Sequence, residues 1–159
     1  MNRSELNPAN RKYTVWVLRI FVAAGLVASA VVHVQLAPGY QQAAPGGLGQ
    51  GTLFLIQAGV AVLAAVFVLL KGSRTAFAAA AVVALSSLAA VILYRYVQIP
   101  ALGPLPAMYE PVWYVAKVVT AAAEAAAGGL AVAGYVLLQT SLPGSRPTAR
   151  GRRRSASAA

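Results

Sequence analysis

Four long apolar stretches dominate this sequence, and each has the length that a helix needs to cross a lipid bilayer. A hydrocarbon core requires about 20 residues of helix. Because the core offers no water to open backbone groups, a segment that crosses it is a helix or a strand of a closed barrel, and the alternating pattern of barrel strands is absent here. The stretches cover about residues 14–36, 51–70, 76–97 and 112–138. The sequence therefore predicts an all-α, membrane-spanning four-helix bundle.

The composition agrees with lipid as the main solvent of the chain. Of the 159 residues, 59% are hydrophobic and only 10% are charged, and the mean hydropathy of +0.68 lies outside the usual range of soluble domains. The net charge of +10 is concentrated at the two ends and in one short loop, which is typical of membrane orientation rather than of a nucleic-acid-binding face. There is no cysteine, which excludes disulfides, thiol redox relays and iron–sulfur clusters.

These patterns divide the chain into three segments. Residues 1–13 form a polar N-terminal segment, residues 14–138 form the transmembrane domain and residues 139–159 form a basic tail. We expect the tail to be disordered, because it consists mainly of Pro, Gly, Ser, Ala and Arg and has almost no large apolar side chain. The first apolar stretch is longer than the apolar core of a signal peptide, so it is interpreted as a retained helix.

The basic residues predict how the chain is oriented. Cytoplasmic loops of membrane proteins are enriched in Lys and Arg. The segments 37–50 and 98–111 contain neither, whereas the other flanking segments do. Both termini and the 71–75 turn are therefore expected in the cytoplasm, and the chain is expected to be a multi-pass protein of a cell membrane, most simply the bacterial plasma membrane. The arginines of the tail would then contact anionic lipid headgroups, without any nucleic-acid partner.

Five ionisable side chains lie within the apolar stretches, where each costs about 2.5–3.5 kcal/mol on insertion scales. Glu124 falls at the middle of the fourth stretch, where the cost is highest. With a rise of 1.5 Å per residue, Arg19 lies about 9 Å from the centre toward the cytoplasm, and Gln57 lies about 6 Å from it toward the outside. Three basic or titratable groups share one level about 12 Å on the outer side. These are His33, Arg95 and Lys117.

Helical spacing places these residues on common faces. Lys117, Thr120 and Glu124 lie at i, i+3 and i+7, which is one stripe of the fourth helix. Arg19 and His33 are separated by two intervals of seven, which places both on one side of the first helix. If the two stripes face each other, Glu124 lies between basic groups and has a counter-charge. The sequence thus predicts a buried polar seam of Glu124, Arg19, Lys117 and His33, with Gln57 and Arg95 as an outer polar layer.

Simpler explanations exist for most of these residues. Arg19 and Lys117 have stems long enough to reach the nearer membrane interface, and Arg95 precedes a Pro-rich loop, as a boundary anchor would. His33 has no Cys and no second His near it, so it does not predict a metal site. For Glu124 the sequence leaves two alternatives open, a structural ion pair with a basic residue and a functional role in binding a proton or a ligand.

Small and polar residues predict how the helices pack. Gly25 with Ser29 on the first helix, and Ala125 with Gly129 on the fourth, have the small-xxx-small spacing that lets two backbones approach closely. We therefore expect the first and fourth helices to pack tightly, while homodimerisation through the same residues remains an alternative. Gln57 and the adjacent pair Ser86 and Ser87 are typical of hydrogen bonds between helices rather than of ligand contacts.

Several short segments resemble those of a known group of proteins. They are residues 33–36 (HVQL), 39–40 (GY), 51–58 (GTLFLIQA) and 122–125 (AAEA). On these residues the chain resembles the small four-helix integral membrane proteins of high-GC actinobacteria and is similar in layout to DoxX-like proteins, over about residues 14–138. The resemblance implies a four-helix layout and no activity, because that group carries no settled one. Any thiol-linked role of DoxX-like proteins does not carry over, since this chain has no cysteine.

The sequence favours a non-enzymatic protein, an accessory or scaffold subunit without a cofactor, because it has no Ser/His/Asp set, metal cluster or phosphate-binding loop. The partner would be a second copy or another membrane protein. A first alternative is a proton-coupled transporter or channel, with Glu124 as its titrating group and the basic outer layer as a vestibule for anions. A second alternative is a quinone- or haem-associated redox subunit, supported by His33 and the interfacial aromatic residues.

Protease protection tests the predicted orientation. With the arginine-rich tail in the cytoplasm, a protease added to intact cells leaves residues 150–154 uncut, because the bilayer shields them, and cuts them after permeabilisation. Immunoblotting of a tag placed after Ala159 measures the cleavage. Loss of the tag from intact cells would place the tail outside and reverse the topology.

Overall fold

The computed structural model describes residues 8–41, 49–101 and 106–140, and this part of the chain is helical apart from its connections. Each helix is long and apolar enough to span a membrane, which confirms the predicted all-helical class and, for the described residues, the number of helices. The predicted tail lies outside the described residues from position 141 onward, and so do positions 1–7 of the predicted N-terminal segment. The helices are α1 (Pro8–Gln41), α2 (Gln50–Lys71), α3 (Arg74–Tyr96) and α4 (Val115–Gln139).

Helix α1 is much longer than its apolar stretch. It begins six residues before the predicted start and ends five residues after the predicted end, and its 34 residues give a length of about 51 Å. Pro8 starts the helix at a position that tolerates proline, because the first backbone N–H groups of a helix have no partner within it. At the other end the helix continues past Pro38, where Ala37 is buried and its carbonyl lies directly against Gly51 of α2. Packing therefore extends a helix that composition alone predicted to end.

The turn between α2 and α3 is tight because two residues satisfy both helix ends. Gly72 adopts a left-handed conformation with φ of 53°, and its N–H donates to the carbonyl of Val68 at 3.0 Å. The side chain of Ser73 then accepts a hydrogen bond of 3.2 Å from the N–H of Ala76 and caps the start of α3. Because only Gly72 and Ser73 separate the two helices, α2 and α3 are antiparallel neighbours.

The connection between α3 and α4 folds back over the helix ends. Ile99 and Met108 exchange two backbone hydrogen bonds of 3.1 and 2.9 Å in an antiparallel bridge. The N–H of Glu110 donates to the carbonyl of Tyr94 at 2.9 Å, which holds this part of the connection against the end of α3. Helix α4 begins at Val115 rather than at the predicted position 112, because the chain is still extended at Tyr114.

The four helices form a closed ring in which α1 packs against α2 and α4, and α3 packs against the same two helices. We call the end that carries the α1–α2 and α3–α4 connections the loop end, and the opposite end the terminal end. The apolar core fills the terminal half and the middle of the bundle and consists largely of alanine, with a few larger side chains. The larger ones are Val22, Leu26, Val68 and Phe77. The buried polar residues lie instead in the middle and the loop half.

Close packing of α1 on α4 is confirmed, and both predicted residues of α1, Gly25 and Ser29, take part in it, but the predicted pair on α4 does not. A Cβ atom on Gly25 would lie 2.9 Å from the Cβ of Ala127 and 3.0 Å from the carbonyl oxygen of Ala123. By contrast, Ala125 and Gly129 are exposed on the outside of the bundle. The reason is that the buried face of α4 contains Glu124, Ala127 and Ala131. Ala125 and Gly129 lie on the opposite face of the helix and point away from the bundle.

Replacing Gly25 by a large side chain tests this contact. Gly25→Leu should lower the free energy of unfolding by about 1–3 kcal/mol, because the added atoms have no space between α1 and α4. Gly129→Leu is the matched control, since no atom lies within 4 Å of the Cβ position there, and it should change stability by less than about 0.5 kcal/mol. Unfolding of the purified protein in mixed micelles measures both. Equal losses would mean that the tight contact is not made by Gly25.

Candidate functional site

A cavity of about 260 Å³ opens between the four helices at the loop end. Engineered cavities of about 150 Å³ take benzene, so this one has room for a molecule of about ten heavy atoms. Its wall is mainly apolar and aromatic, while a few polar side chains reach it from all four helices and from the α3–α4 connection. The wall includes Leu36, Leu53, Phe54, Ala90, Val91 and Tyr94, and the polar side chains include His33, Gln57, Ser87, Lys117 and Thr120.

Glu124 lies just beneath this cavity and is 1% exposed. Its Oε1 atom accepts a hydrogen bond of 2.8 Å from the hydroxyl of Ser29 on α1 and one of 2.5 Å from the hydroxyl of Ser87 on α3. Its Oε2 atom is buried and has no hydrogen-bond partner in the described part of the chain. No Lys, Arg or His nitrogen of the described residues lies within 4.0 Å of the carboxyl group. Two serines, and not a basic residue, therefore hold Glu124.

His33 connects this cluster to the cavity. Its Nδ1 atom lies 2.9 Å from the carbonyl oxygen of Ser29 and 3.3 Å from the hydroxyl of the same residue. Because a carbonyl oxygen can only accept, Nδ1 carries the proton, and in the neutral ring Nε2 is then a hydrogen-bond acceptor. The ring packs edge-on against Phe54 of α2, with the ring centres 5.3 Å apart. The predicted proximity of His33 to Glu124 is thus present, with Ser29 between them.

Lys117 is 7% exposed and lines the cavity, but it does not pair with Glu124. Its Nζ atom donates to the backbone carbonyls of Glu110 at 2.5 Å and of Val112 at 3.4 Å, and it lies 5.5 Å from the centre of the Trp113 ring. These contacts hold the last residues of the α3–α4 connection onto the first turn of α4. The predicted stripe of Lys117, Thr120 and Glu124 is nevertheless confirmed, since all three side chains are buried on one face of α4.

The predicted pairing of Arg19 with Glu124 is not present. The guanidinium of Arg19 donates to the carbonyl of Val68 at 3.1 Å and to the carbonyl of Leu69, and its side chain lies against Gly72. The last carbonyls of a helix have no partner within it and carry the negative end of the helix dipole, so they attract a cation. Arg19 therefore caps the end of α2 at the terminal end and is drawn away from the centre of the bundle.

The predicted outer polar layer is divided between the cavity and the surface. Gln57 lines the cavity, and its amide makes no hydrogen bond within the described residues. Arg95 does not line it, and its guanidinium lies 5.1 Å from the centre of the Tyr96 ring at the end of α3. Thr120 lines the cavity, and its hydroxyl is buried without a partner among the described residues.

A cluster of Tyr40, Glu110 and Tyr114 beside the cavity was not predicted from the sequence. The hydroxyl of Tyr40, near the end of α1, donates to Oε2 of Glu110 at 2.9 Å and lies 3.0 Å from the hydroxyl of Tyr114. This cluster joins α1, the α3–α4 connection and the start of α4 around the mouth of the cavity. One signal was available in the sequence, since Glu110 is an acidic residue in a connection that contains no Lys or Arg.

The chain matches no protein-family model, and it has no match among curated proteins or solved structures. In the described residues no group of three or more His, Asp or Glu side chains is placed to hold a metal ion. The cavity and the polar groups around it are therefore the features of this structure that bear on function.

A double-mutant cycle distinguishes the predicted ion pair from the observed contacts. Arg19→Gln should lower the free energy of unfolding by about 1 kcal/mol, because two carbonyls of α2 lose their donor. Glu124→Gln keeps a carbonyl oxygen for both serine hydroxyls. The double variant should therefore show the sum of the single effects to within about 0.5 kcal/mol. Unfolding titrations in mixed micelles measure all four proteins, and a coupling well above 1 kcal/mol would show that the two side chains interact after all.

Proposed function

We propose that this chain is a non-enzymatic, multi-pass membrane protein that binds a small, mainly apolar molecule in its loop-end cavity and acts through that binding as an accessory subunit. The observation that carries the proposal is the cavity itself, with its apolar and aromatic wall and its few convergent polar groups. Such a composition is typical of ligand pockets. The outside of the bundle supports the membrane location, because it carries many exposed large apolar side chains.

The bundle is closed on the other side of Glu124. The core of the terminal half is packed with alanines and with Leu26 and Phe77, which are 1% and 0% exposed. A cavity in the loop half beside a closely packed terminal half favours binding over conduction through a continuous pore. By the positive-inside rule, both termini of this protein lie in the cytoplasm and the cavity lies in the outer half of the membrane.

A proton-coupled transporter is a second candidate, favoured by one observation. The Oε2 atom of Glu124 is buried and has no partner in the described part of the chain. Its Oε1 atom accepts a hydrogen bond from the hydroxyl of Ser87, a residue that lines the cavity. A proton could pass between the cavity and the carboxyl group through this hydroxyl. Transport also requires that the sealed terminal half opens. Acidification of proteoliposomes, followed with an enclosed pH-sensitive dye, would favour this candidate if it depended on Glu124.

Filling the cavity tests the proposed binding. The probe is 4-propyltoluene, an apolar molecule of about the right size. It should raise the unfolding temperature of the unmodified protein and of Ala89→Phe, but not that of Ala90→Phe. Ala90 lines the cavity, whereas the neighbouring Ala89 is exposed and does not, so the pair separates occupation of the cavity from effects of the probe on the micelle.

A second measurement covers the case in which Ala90→Phe does not fold. Because the chain contains no cysteine, Ala90→Cys and Ala89→Cys each provide one thiol. We expect 4-propyltoluene to slow the reaction of the cavity thiol with methyl methanethiosulfonate and to leave the other thiol unaffected. If both thiols react at unchanged rates over the soluble range of the probe, the protein does not use this cavity for apolar molecules.

A further inference from the structure

Three side chains that line the cavity from three helices carry hydrogen-bonding atoms without a partner among the described residues. They are Nε2 of His33 on α1, the amide of Gln57 on α2 and the hydroxyl of Thr120 on α4, and none of these atoms has a partner among the described residues. Thr120 is 4% exposed and His33 is 6% exposed, so their polar atoms have almost no access to solvent outside the cavity. A buried polar group without a partner costs free energy, which a ligand that bonds to it recovers.

Helical spacing places these atoms within about one helical turn of each other in depth. His33 lies one turn from Ser29, and Thr120 lies one turn from Glu124, on the loop side in both cases. Because Ser29 and Glu124 are hydrogen-bonded to each other, His33 and Thr120 share the level just above them. Gln57 lies one turn deeper than Phe54, whose ring contacts His33. The three groups therefore surround the inner end of the cavity.

The charged groups of the cavity are already engaged elsewhere. Lys117 directs its ammonium group at two backbone carbonyls of the α3–α4 connection. Glu110 accepts a hydrogen bond from Tyr40 and lies on the same side of the cavity as Lys117, so that charges of both signs occur at the mouth. At the inner end the available groups are an imidazole acceptor, a hydroxyl and an amide. That set matches a neutral head that both donates and accepts, and it does not match a carboxylate or an ammonium ion.

We propose that the molecule bound in the cavity carries a hydroxyl group, as an alcohol or a phenol does, at the end that enters first. The hydroxyl donates to Nε2 of His33 and accepts from the hydroxyl of Thr120 or the amide of Gln57, while the apolar body lies against Phe54 and the aliphatic wall. The inference rests on the proposed binding function and adds the chemical class of the ligand.

Three probes that share one body test this class. They are 4-propylphenol, 4-propyltoluene and 4-propylbenzoate, which differ in carrying a hydroxyl, a methyl or a carboxylate group. Binding is measured by the rate at which methyl methanethiosulfonate modifies the thiol of Ala90→Cys. For each probe the result is the concentration that halves this rate. We expect the phenol to protect at a concentration about fivefold lower than the toluene, as one or two new hydrogen bonds would give, and the benzoate to protect least.

Variants show which side chains cause the preference for the phenol over the toluene. Because each variant is measured with the same two probes, differences in how the probes partition into the micelle cancel. In the Ala90→Cys protein, adding Thr120→Val or His33→Phe should reduce the preference for the phenol over the toluene at least about twofold. Thr120→Val should fold normally, because the hydroxyl it removes has no partner in the described structure. Ser86→Ala is the matched control and should leave the preference unchanged, since Ser86 also lines the cavity but donates to the carbonyl of Val83 at 3.2 Å.

The outcomes separate this inference from the proposed function. If the toluene protects the cavity thiol as well as the phenol does, the hydroxyl class is wrong and the binding function stands. Stronger protection by the benzoate would overturn the class in favour of an anion held by Lys117. If none of the three probes protects the thiol, the binding function itself fails and the inference fails with it.

Discussion

A carboxyl group in the middle of an apolar bundle has to find hydrogen-bond donors, because neither lipid nor an alanine core can solvate it. In this protein the donors are Ser29 and Ser87, which reach Glu124 from helices on either side of α4. These two hydrogen bonds join α1, α3 and α4 at mid-height. They also mark the boundary between two halves of the core. The buried core of the terminal half is apolar, and the described buried polar side chains lie at this boundary or in the loop half.

The two halves differ in the size of their side chains as well as in polarity. In the terminal half alanines and glycines let the backbones approach, as at Gly25 against α4, and the core between the helices is closely packed. In the loop half the larger aromatic side chains of Phe54 and Tyr40 line the cavity, and their rings pack against each other with centres 5.0 Å apart. The cavity lies in this half, and Met108, Tyr109 and Glu110 of the α3–α4 connection form part of its wall.

Both long basic side chains of the predicted seam bind backbone carbonyls instead of the carboxylate. Arg19 caps the end of α2, and Lys117 fastens the α3–α4 connection to α4. The common reason is that carbonyl groups at helix ends and in connections have no partner within regular structure, and they lie at the ends of the bundle that long side chains reach. Glu124 is left to neutral donors, and this is why a binding site for a neutral group, rather than a buried ion pair, fits the centre of the molecule.

The sequence by itself determined the four helices, the buried stripe of α4 and the importance of Glu124, because long apolar runs and helical spacing depend only on the local chain and on the solvent that surrounds it. The tertiary structure decided which partners the polar residues have, since the same spacing allowed Arg19 to face either Glu124 or the end of α2. It also decided that α1 continues to Gln41, where contact with α2 outweighs the helix-breaking tendency of Pro38. Tyr40, Glu110 and Tyr114 come from parts of the chain up to 74 residues apart, and only the packing of α1 beside α4 brings them to one mouth.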